Sequence, residues 1–391
     1  MSEVVNLEEL CTGIIDCPHS TPKWQDKGIP VIRNYNLKDG KIDCTNLSFV
    51  SEEDYKERVK RAIPEESDII ISREAPMGVV GIVPKEFQCC LGQRLVLLKI
   101  DKSKCIPKYL LYTLMSEYVQ VQIRRINQTG SIVSNLNISS LKKLKIPLHN
   151  FEEQRKIANI LSAIDDKIQI NNQINQELEA MAKTLYDYWF MQFDFPDQNG
   201  KPYKSSGGKM VYNPELKREI PEGWGVEKLS HFLTIKNGKD HKHLQDGKFA
   251  VYGSGGIMRT VTDYLYSGES ILFPRKGTLN NVMYVNEKFW TVDTMFYSEV
   301  NKNNSALYVF YSVKDIDFNK LNTGTGVPSM TSSILYDLNI IVPEENILEK
   351  FNSIVKRNYE TIKLNNIQNQ KLIQLRDWLL PMLMNGQVKV E

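Results

Sequence analysis

The sequence has no apolar run approaching about 18 residues, the length a membrane-spanning helix needs. Its start, MSEVVNLEEL, has neither the basic stretch nor the apolar core of a secretion signal. Together these absences lead to the expectation of a cytosolic protein. An excess of one charge is missing too: 49 basic and 47 acidic residues leave a net charge of +2. Composition therefore announces no polyanion partner, and nucleic-acid binding would have to come from a clustered basic face or be shared with basic partners. Cysteine is absent beyond Cys105. Cys11, Cys17, Cys44, Cys89, Cys90 and Cys105 include no Cys-x-x-Cys pair with a second knuckle, so neither a zinc site nor a disulfide framework is expected.

Recognisable reaction chemistry is also missing. There is no GxxxxGK[ST] phosphate loop. No Asn-Pro-Pro-aromatic tetrapeptide is present to hold a flipped base; NPEL at 213–216 lacks the second proline and the aromatic. VYGSGGIM (251–258) follows a strand-like run, but lacks G-x-G-x-x-G spacing, a following helix and an acidic residue about 20 positions on. PDQNGK (196–201) has no companion carboxylates of a nuclease kind. His241 and His243 alternate on one side of a strand or loop without a further ligand nearby. No catalytic residue, cofactor or metal is expected, and the chain reads as a recognition protein, not an enzyme.

What is present is a repeat. At 391 residues, with 41% hydrophobic content, the chain is long enough for two cores. Asn171, Asn172, Asn175, Gln176, Leu178 and Leu185 match Asn365, Asn366, Asn369, Gln370, Leu372 and Leu379, each 194 residues later. Upstream, Thr129-Gly130 pairs with Thr323-Gly324, Leu144 with Leu338 and Ile146-Pro147 with Val342-Pro343. SDIIISRE (67–74) matches GESILFPRK (268–276), which sets Arg73 opposite Arg275. The copies diverge most around 11–66 and 231–267, as two domains reading different targets would.

Each copy begins with short strand-like runs broken by turns. In the first these are GIPVIRN, LKDGKID, DIIISR, GVVGIV and RLVLLKI, followed by a helical stretch at about 107–126 and a polar loop at 127–140. The second runs from Trp224 to Pro343, with strands expected at FAVYG, SILFPR, NVMYV, FYSEV and LYVFYSV. Residues 195–223, rich in Gly, Pro, Ser and Lys, read as an exposed linker.

A long amphipathic helix closes each copy. From Phe151, Ile157, Leu161, Ile164, Ile168, Leu178, Ala182, Leu185 and Trp189 alternate four and three apart once Asn171 and Asn175 are included, which is a heptad seam. The second helix shows Phe351, Val355, Ile362, Leu372, Leu379 and Leu383, with Asn365 and Asn369 in the seam and Asn358 and Arg376 interrupting it. About 40 residues at roughly 1.5 Å each make a rod of about 60 Å. Asn171, Asn175, Asn365 and Asn369 lie near the helix midpoints and would fix the register of a pair. They would meet in either direction, but connectivity favours an antiparallel pair; solvated surface positions are the alternative.

In these features the chain resembles the specificity subunit of a type I restriction–modification system. IPLHNFEEQRKIANILSAIDDKI with LYDYWF, LRDWLLPMLMNGQV, VYGSGG, GESILFPRKGTLNNVMYV and FWTVDTMFY carry the resemblance, which covers essentially the whole chain. It implies an α+β fold with an internal pseudo-twofold repeat. Two mixed α/β target-recognition domains, 1–147 and 224–343, are joined by two long antiparallel coiled-coil helices, 148–194 and 344–391, with 195–223 as linker. Each domain would read one half of a bipartite, asymmetric double-stranded DNA site. The helices would set the spacer and dock two modification (methyltransferase) subunits, with restriction/translocase subunits joining through the complex. Half-sites about one DNA turn, roughly 34–36 Å, apart would fit along such a rod.

Base edges are read best by Arg, Lys, Asn and Gln, and phosphates by Lys, Arg, Ser, Thr and backbone N–H groups. The candidate DNA contacts are accordingly Arg73, Thr129, Gly130 and Ser131 in the first copy. In the second they are Lys236, Lys239, His241, Lys242, His243, Arg275, Lys276, Thr323, Gly324 and Thr325. Two rival readings stay open: a fragment of a fused restriction–methylation enzyme, and a DNA-free coiled-coil scaffold bearing two binding modules.

Overall fold

The computed structural model describes residues 3–128, 135–324 and 326–388. The chain divides into two compact units, one made of residues 1–171 with 367–391 and the other of 172–366. Both boundaries fall inside the long helices, so each unit contains part of both.

In the first unit a four-stranded antiparallel sheet runs in the order Cys11–Asp16, Leu95–Ile100, Ile69–Ser72, Val80–Ile82. A smaller sheet sets Ile29–Ile32 between Ser48–Val50 and Cys90–Leu91, antiparallel to the former and parallel to the latter. Ile69, Ile70, Ile71, Leu95, Val96 and Leu98 are wholly buried, and such continuous β-branched and apolar runs suit strands covered on both faces. The stretch expected as one helix at 107–126 is two, Pro107–Met115 and Glu117–Gln128. They break at Ser116, whose buried hydroxyl donates to the Thr113 carbonyl instead of continuing the ladder. All six cysteines are free. Burial pushes the Cys89 thiol up to about 12, and Cys90 to about 11, far from reactive thiolate character.

The second unit has a six-stranded sheet in the order Leu233–Asn237, Met295–Val300, Tyr266–Pro274, Met283–Thr291, Asp246–Gly253, Gly256–Val261. Here two sequence expectations fail. LYVFYSV is not a strand but part of the helix Ala306–Lys314, with Leu307, Tyr308, Val309 and Val313 buried. A short run apolar on every side fits a buried helix as well as a buried strand, and packing decides. Residues 195–223 are not an exposed linker. They hold the hairpin of Met210–Asn213 and Arg218–Pro221, and Phe193, Phe195 and Ile220 enter the core beside Trp224. Phe195 stacks on Trp224 with ring centroids 4.8 Å apart.

The same fastenings recur in both units. The strand Glu3–Asn6 pairs with Lys145–Leu148, just before the first long helix, and Gly225–Lys228 pairs with Asn339–Val342, just before the second. The Tyr109 hydroxyl donates to the Pro147 carbonyl (2.6 Å), and the Tyr308 hydroxyl to the Ile341 carbonyl (2.7 Å).

The long helices span Phe151–Tyr186, widening into a π-turn at Asp187–Met191, and Glu345–Met384. In the first unit Ile157, Ala158 and Leu161 share a core with Leu380, Leu383 and Met384. The wholly buried Asn171 donates from Nδ2 to Gln368 Oε1 and Asn369 Oδ1, both at 2.8 Å. In the second unit Asn365 Nδ2 donates to Asn175 Oδ1 at 2.9 Å, Asn175 Nδ2 donates to Asn366 Oδ1, and Phe190 meets Phe351 edge-on at 5.0 Å. The two interruptions of the seam are both satisfied. Arg376 Nη1 pairs with Asp165 Oδ1 at 2.9 Å, each side chain at most a tenth exposed, and Asn358 donates to the Leu178 carbonyl.

Candidate nucleic-acid interface

In both units one sheet end gathers exposed polar loops on a common backbone frame. In the first, the Arg73 N–H donates to the Arg94 carbonyl (2.8 Å) and the Arg73 carbonyl accepts from Leu136 N–H (3.0 Å). In the second, the Arg275 N–H donates to the Thr294 carbonyl (2.8 Å) and its carbonyl accepts from Met330 N–H (2.9 Å). The two arginines therefore hold equivalent places, as their sequence alignment implies. Their side chains do not.

Arg73 is turned inward. Its Nη1 lies 2.8 Å from both oxygens of Asp16, Nε donates to the Leu136 carbonyl and Nη2 to Asn135, and the side chain is only 12% exposed. With its fork so engaged it has little left for a ligand, and the DNA-facing role expected of it is corrected to a structural one. The position opposite in the second unit carries no acid: Asp16 lies across from Val96, and Asn237 from Phe296 on the equivalent strand pair. Arg275 is exposed, resting over the Phe296 ring at 5.8 Å, and forms no ion pair among the described residues.

Around Arg275 the structure brings several of the expected residues together. The Lys276 N–H also donates to Thr294, the Gly277 N–H donates to Pro328, and the Thr323 N–H and hydroxyl both bond the Ser329 carbonyl. Gly324 N–H is held by Asn322 Oδ1 at 2.8 Å. Lys239 joins the same end through its N–H to the Thr291 carbonyl, with Gly238 donating to Met295. That close approach needs glycine: a Cβ at Gly238 would lie 2.0 Å from the Val292 carbonyl oxygen. His241, Lys242 and His243 follow in the turn, Lys242 and His243 exposed and His243 edge-on to Trp290. Lys236 stands apart, within the strand and 3.6 Å from Glu299. Thr129, Gly130, Ser131 and Thr325 lie outside the described residues. Among the described residues no group of three or more His, Cys, Asp or Glu is placed to hold a metal, and no helix is long and apolar enough to cross a membrane.

Sequence reasoning missed what the first unit presents at this end. Strands Ile29–Ile32 and Cys90–Leu91 run parallel, so residues 33–35 and 92–94 emerge side by side. They form a cleft of about 400 Å³ lined by Trp24, Arg33, Asn34, Tyr35, Gln93 and Arg94. Trp24 and Tyr35 are 45% and 44% exposed. The signal was there: IRNYN lies within 11–66, the stretch where the copies diverge most.

The family sequence pattern described as "Type I restriction modification DNA specificity domain" matches residues 2–180 and 221–374, most of the chain. The chain belongs to this family of type I restriction–modification specificity subunits. Among curated relatives, the type I restriction enzyme MjaIX specificity subunit of Methanocaldococcus jannaschii is 31% identical over 371 residues, covering 88% of this chain and 82% of that protein. The HindI specificity subunit of Haemophilus influenzae is 22% identical over 373 residues, covering 76% and 81%. The crystal structure of a type I system S subunit from M. genitalium matches the fold with a TM-score of 0.60 at 19% identity, over 98% of this chain and 96% of that one. Mixed α/β content with long helices is thus the architecture of specificity-subunit folds.

Proposed function

We propose that this specificity subunit reads a bipartite, asymmetric site on double-stranded DNA, one half with each sheet end, without catalysing a reaction itself. One observation carries the reading: the backbone frame around Arg73 and Arg275 is the same, while the exposed side chains it presents are different. A shared scaffold with unlike surfaces suits two unlike half-sites. The recognition domains would be 1–147 and 224–343, with the 195–223 hairpin belonging to the second.

The long helices, 148–194 and 344–391, would pair as an antiparallel coiled coil, set the spacer and dock modification subunits, through which restriction/translocase subunits join. Support comes from the reversed order of their contacts within each unit, Ile157 with Leu380 and Asp165 with Arg376 in the first, Leu178 with Asn358 in the second. Exposed apolar side chains on these helices, including Leu364 (66%) and Trp378 (57%), would serve docking. The asparagines Asn171, Asn175, Asn365 and Asn369 would hold the register, since a misaligned pair would bury amides without partners.

The test is methylome sequencing of cells carrying the chain with its modification partner. Two unlike half-sites with a fixed spacer are expected. A single continuous motif, or a symmetric one, would contradict the two-domain reading.

A further inference from the structure

The Arg33 guanidinium has no acidic partner among the described residues, whereas Arg73 is held by Asp16. It sits between two exposed rings, its Cζ 5.2 Å from the Trp24 centroid and 5.0 Å from that of Tyr35. Nη1 approaches the Tyr35 hydroxyl at 3.5 Å, and that hydroxyl lies 3.3 Å from Ser48 Oγ. The backbone beneath is fixed: Arg33 N–H donates to Asn36 Oδ1 at 3.0 Å, and the buried Asn36 side chain also donates to the carbonyls of Asp43 and Asn46. Arg94, by contrast, is neutralised by Glu74 at 3.2 Å.

Aromatic faces attract a guanidinium and hold its plane, so part of the rotamer entropy that a free arginine would lose on binding is already spent. The remaining N–H groups form a fork matched to two acceptors. On duplex DNA that pattern is the O6 and N7 of guanine in the major groove. The exposed Trp24 and Tyr35 rings are large apolar surface without cover, in a cleft that also offers Gln93 and a partner-free, buried Asn34 Oδ1.

The geometry points to Arg33, clamped by Trp24 and Tyr35, as the specificity-determining residue of the first unit, reading one guanine of its half-site. Arg33 does in the first unit what Arg73 cannot, because Asp16 holds Arg73. This assignment rests on the reading of the chain as a DNA sequence reader.

The experiment selects duplexes from a random pool with the full chain co-expressed with its modification subunit. The wild type is expected to select a half-site with a fixed guanine. Arg33→Ala should lose the preference for that guanine by about 5- to 150-fold, with the other half-site unchanged. Arg33→Lys should keep overall affinity but lose most of the preference, since an ammonium cannot bond both acceptors in the fixed fork geometry. Trp24→Ala should weaken the same position less. Arg33 is exposed, so a wild-type melting curve is expected for Arg33→Ala; if it is lowered, the Lys variant decides. An unchanged consensus in both arginine variants overturns the assignment, as does equal weakening of every sequence with a shallower salt dependence, the mark of a phosphate contact. A wild-type chain that selects no bipartite consensus would instead overturn the sequence-reading function itself.

Discussion

Arg73 and Arg275 end equivalent strands and receive equivalent backbone bonds, yet Asp16 seals the first while Asn237 leaves the second open. The same substitution of ion pair by something else recurs at the long helices. In the first unit Asp165 binds Arg376 and accepts from the Tyr112 hydroxyl at 2.7 Å, in surroundings that push the Tyr112 phenol far up through burial and the Asp165 charge. The second unit has Tyr359 at the position 194 residues after Asp165 and Ala182 at the one 194 before Arg376. There the Tyr359 hydroxyl donates to the Tyr284 carbonyl at 2.8 Å, and its ring meets Tyr284 edge-on at 4.6 Å. One backbone plan thus tolerates a charged fastening in one unit and an aromatic one in the other. Two units with like main-chain bonds can differ this way, because that frame is indifferent to which side chains fill it.

The largest effect should come from breaking the charged fastening. Asp165→Ala leaves the buried Arg376 only its 3.1 Å pair with the exposed Asp377 and should cost the first unit about 3 kcal/mol. Tyr359→Phe removes one neutral bond and should cost the second unit about 0.5 to 1.5 kcal/mol. Denaturant unfolding followed by hydrogen exchange resolved by unit reads both; equal losses would erase the difference between the fastenings.

A smaller change swaps the arginine environments. Asp16→Asn should destabilise the first unit by about 1.5 to 3 kcal/mol through lost charge-assisted bonds. The reverse change, Asn237→Asp, should capture Arg275 and weaken binding of the second half-site by about tenfold, a loss on the order of 1.4 kcal/mol. Duplex binding at fixed salt measures the second effect. No loss would mean that Arg275 does not touch DNA.

The smallest effect is a pH dependence confined to the first unit. Burial holds His149 below its ordinary value of 6.5, despite the opposing Glu153 charge, with Nδ1 2.8 Å from the Tyr109 hydroxyl. The unfolded chain therefore takes up the proton first. The stabilisation is full above about 6.5 and is lost as pH falls toward the folded value. His149→Gln should flatten that dependence in a melting series from pH 8 to 5. The strand pairs align Lys145–Leu148 with Asn339–Val342, which sets Pro343 opposite His149 and not, as the sequence match of Ile146-Pro147 with Val342-Pro343 expects, opposite Pro147. A proline there cannot titrate.

Much of this was legible in the sequence. The constant offset of 194 residues pairs Leu144 with Leu338, and in the structure their carbonyls accept from Leu7 and Leu229, each just after the strand that pairs ahead of a long helix. A separate offset of 202 residues sets Arg73 against Arg275. The helices were readable because heptad spacing is a local signal carried over many residues. LYVFYSV was not, because a fully buried helix and a buried strand have the same apolar run. The 195–223 segment deceived because its Gly and Pro content outweighed the flanking Phe193, Phe195 and Trp224, which anchor it. The fate of Arg73 depended on Asp16, 57 residues away, a pairing no local pattern encodes. Arg33 was passed over for a similar reason: its two rings come from separate turns of chain, and only folding makes them a clamp.

If one frame presents two different reading surfaces, methylation profiles of cells carrying Arg33→Ala and Arg275→Ala chains with the same modification partner should differ. Relaxed base preference is predicted in one half-site for Arg33→Ala and in the other for Arg275→Ala, with the spacer unchanged in both. Relaxation of the same half-site by both, or of neither, would contradict it.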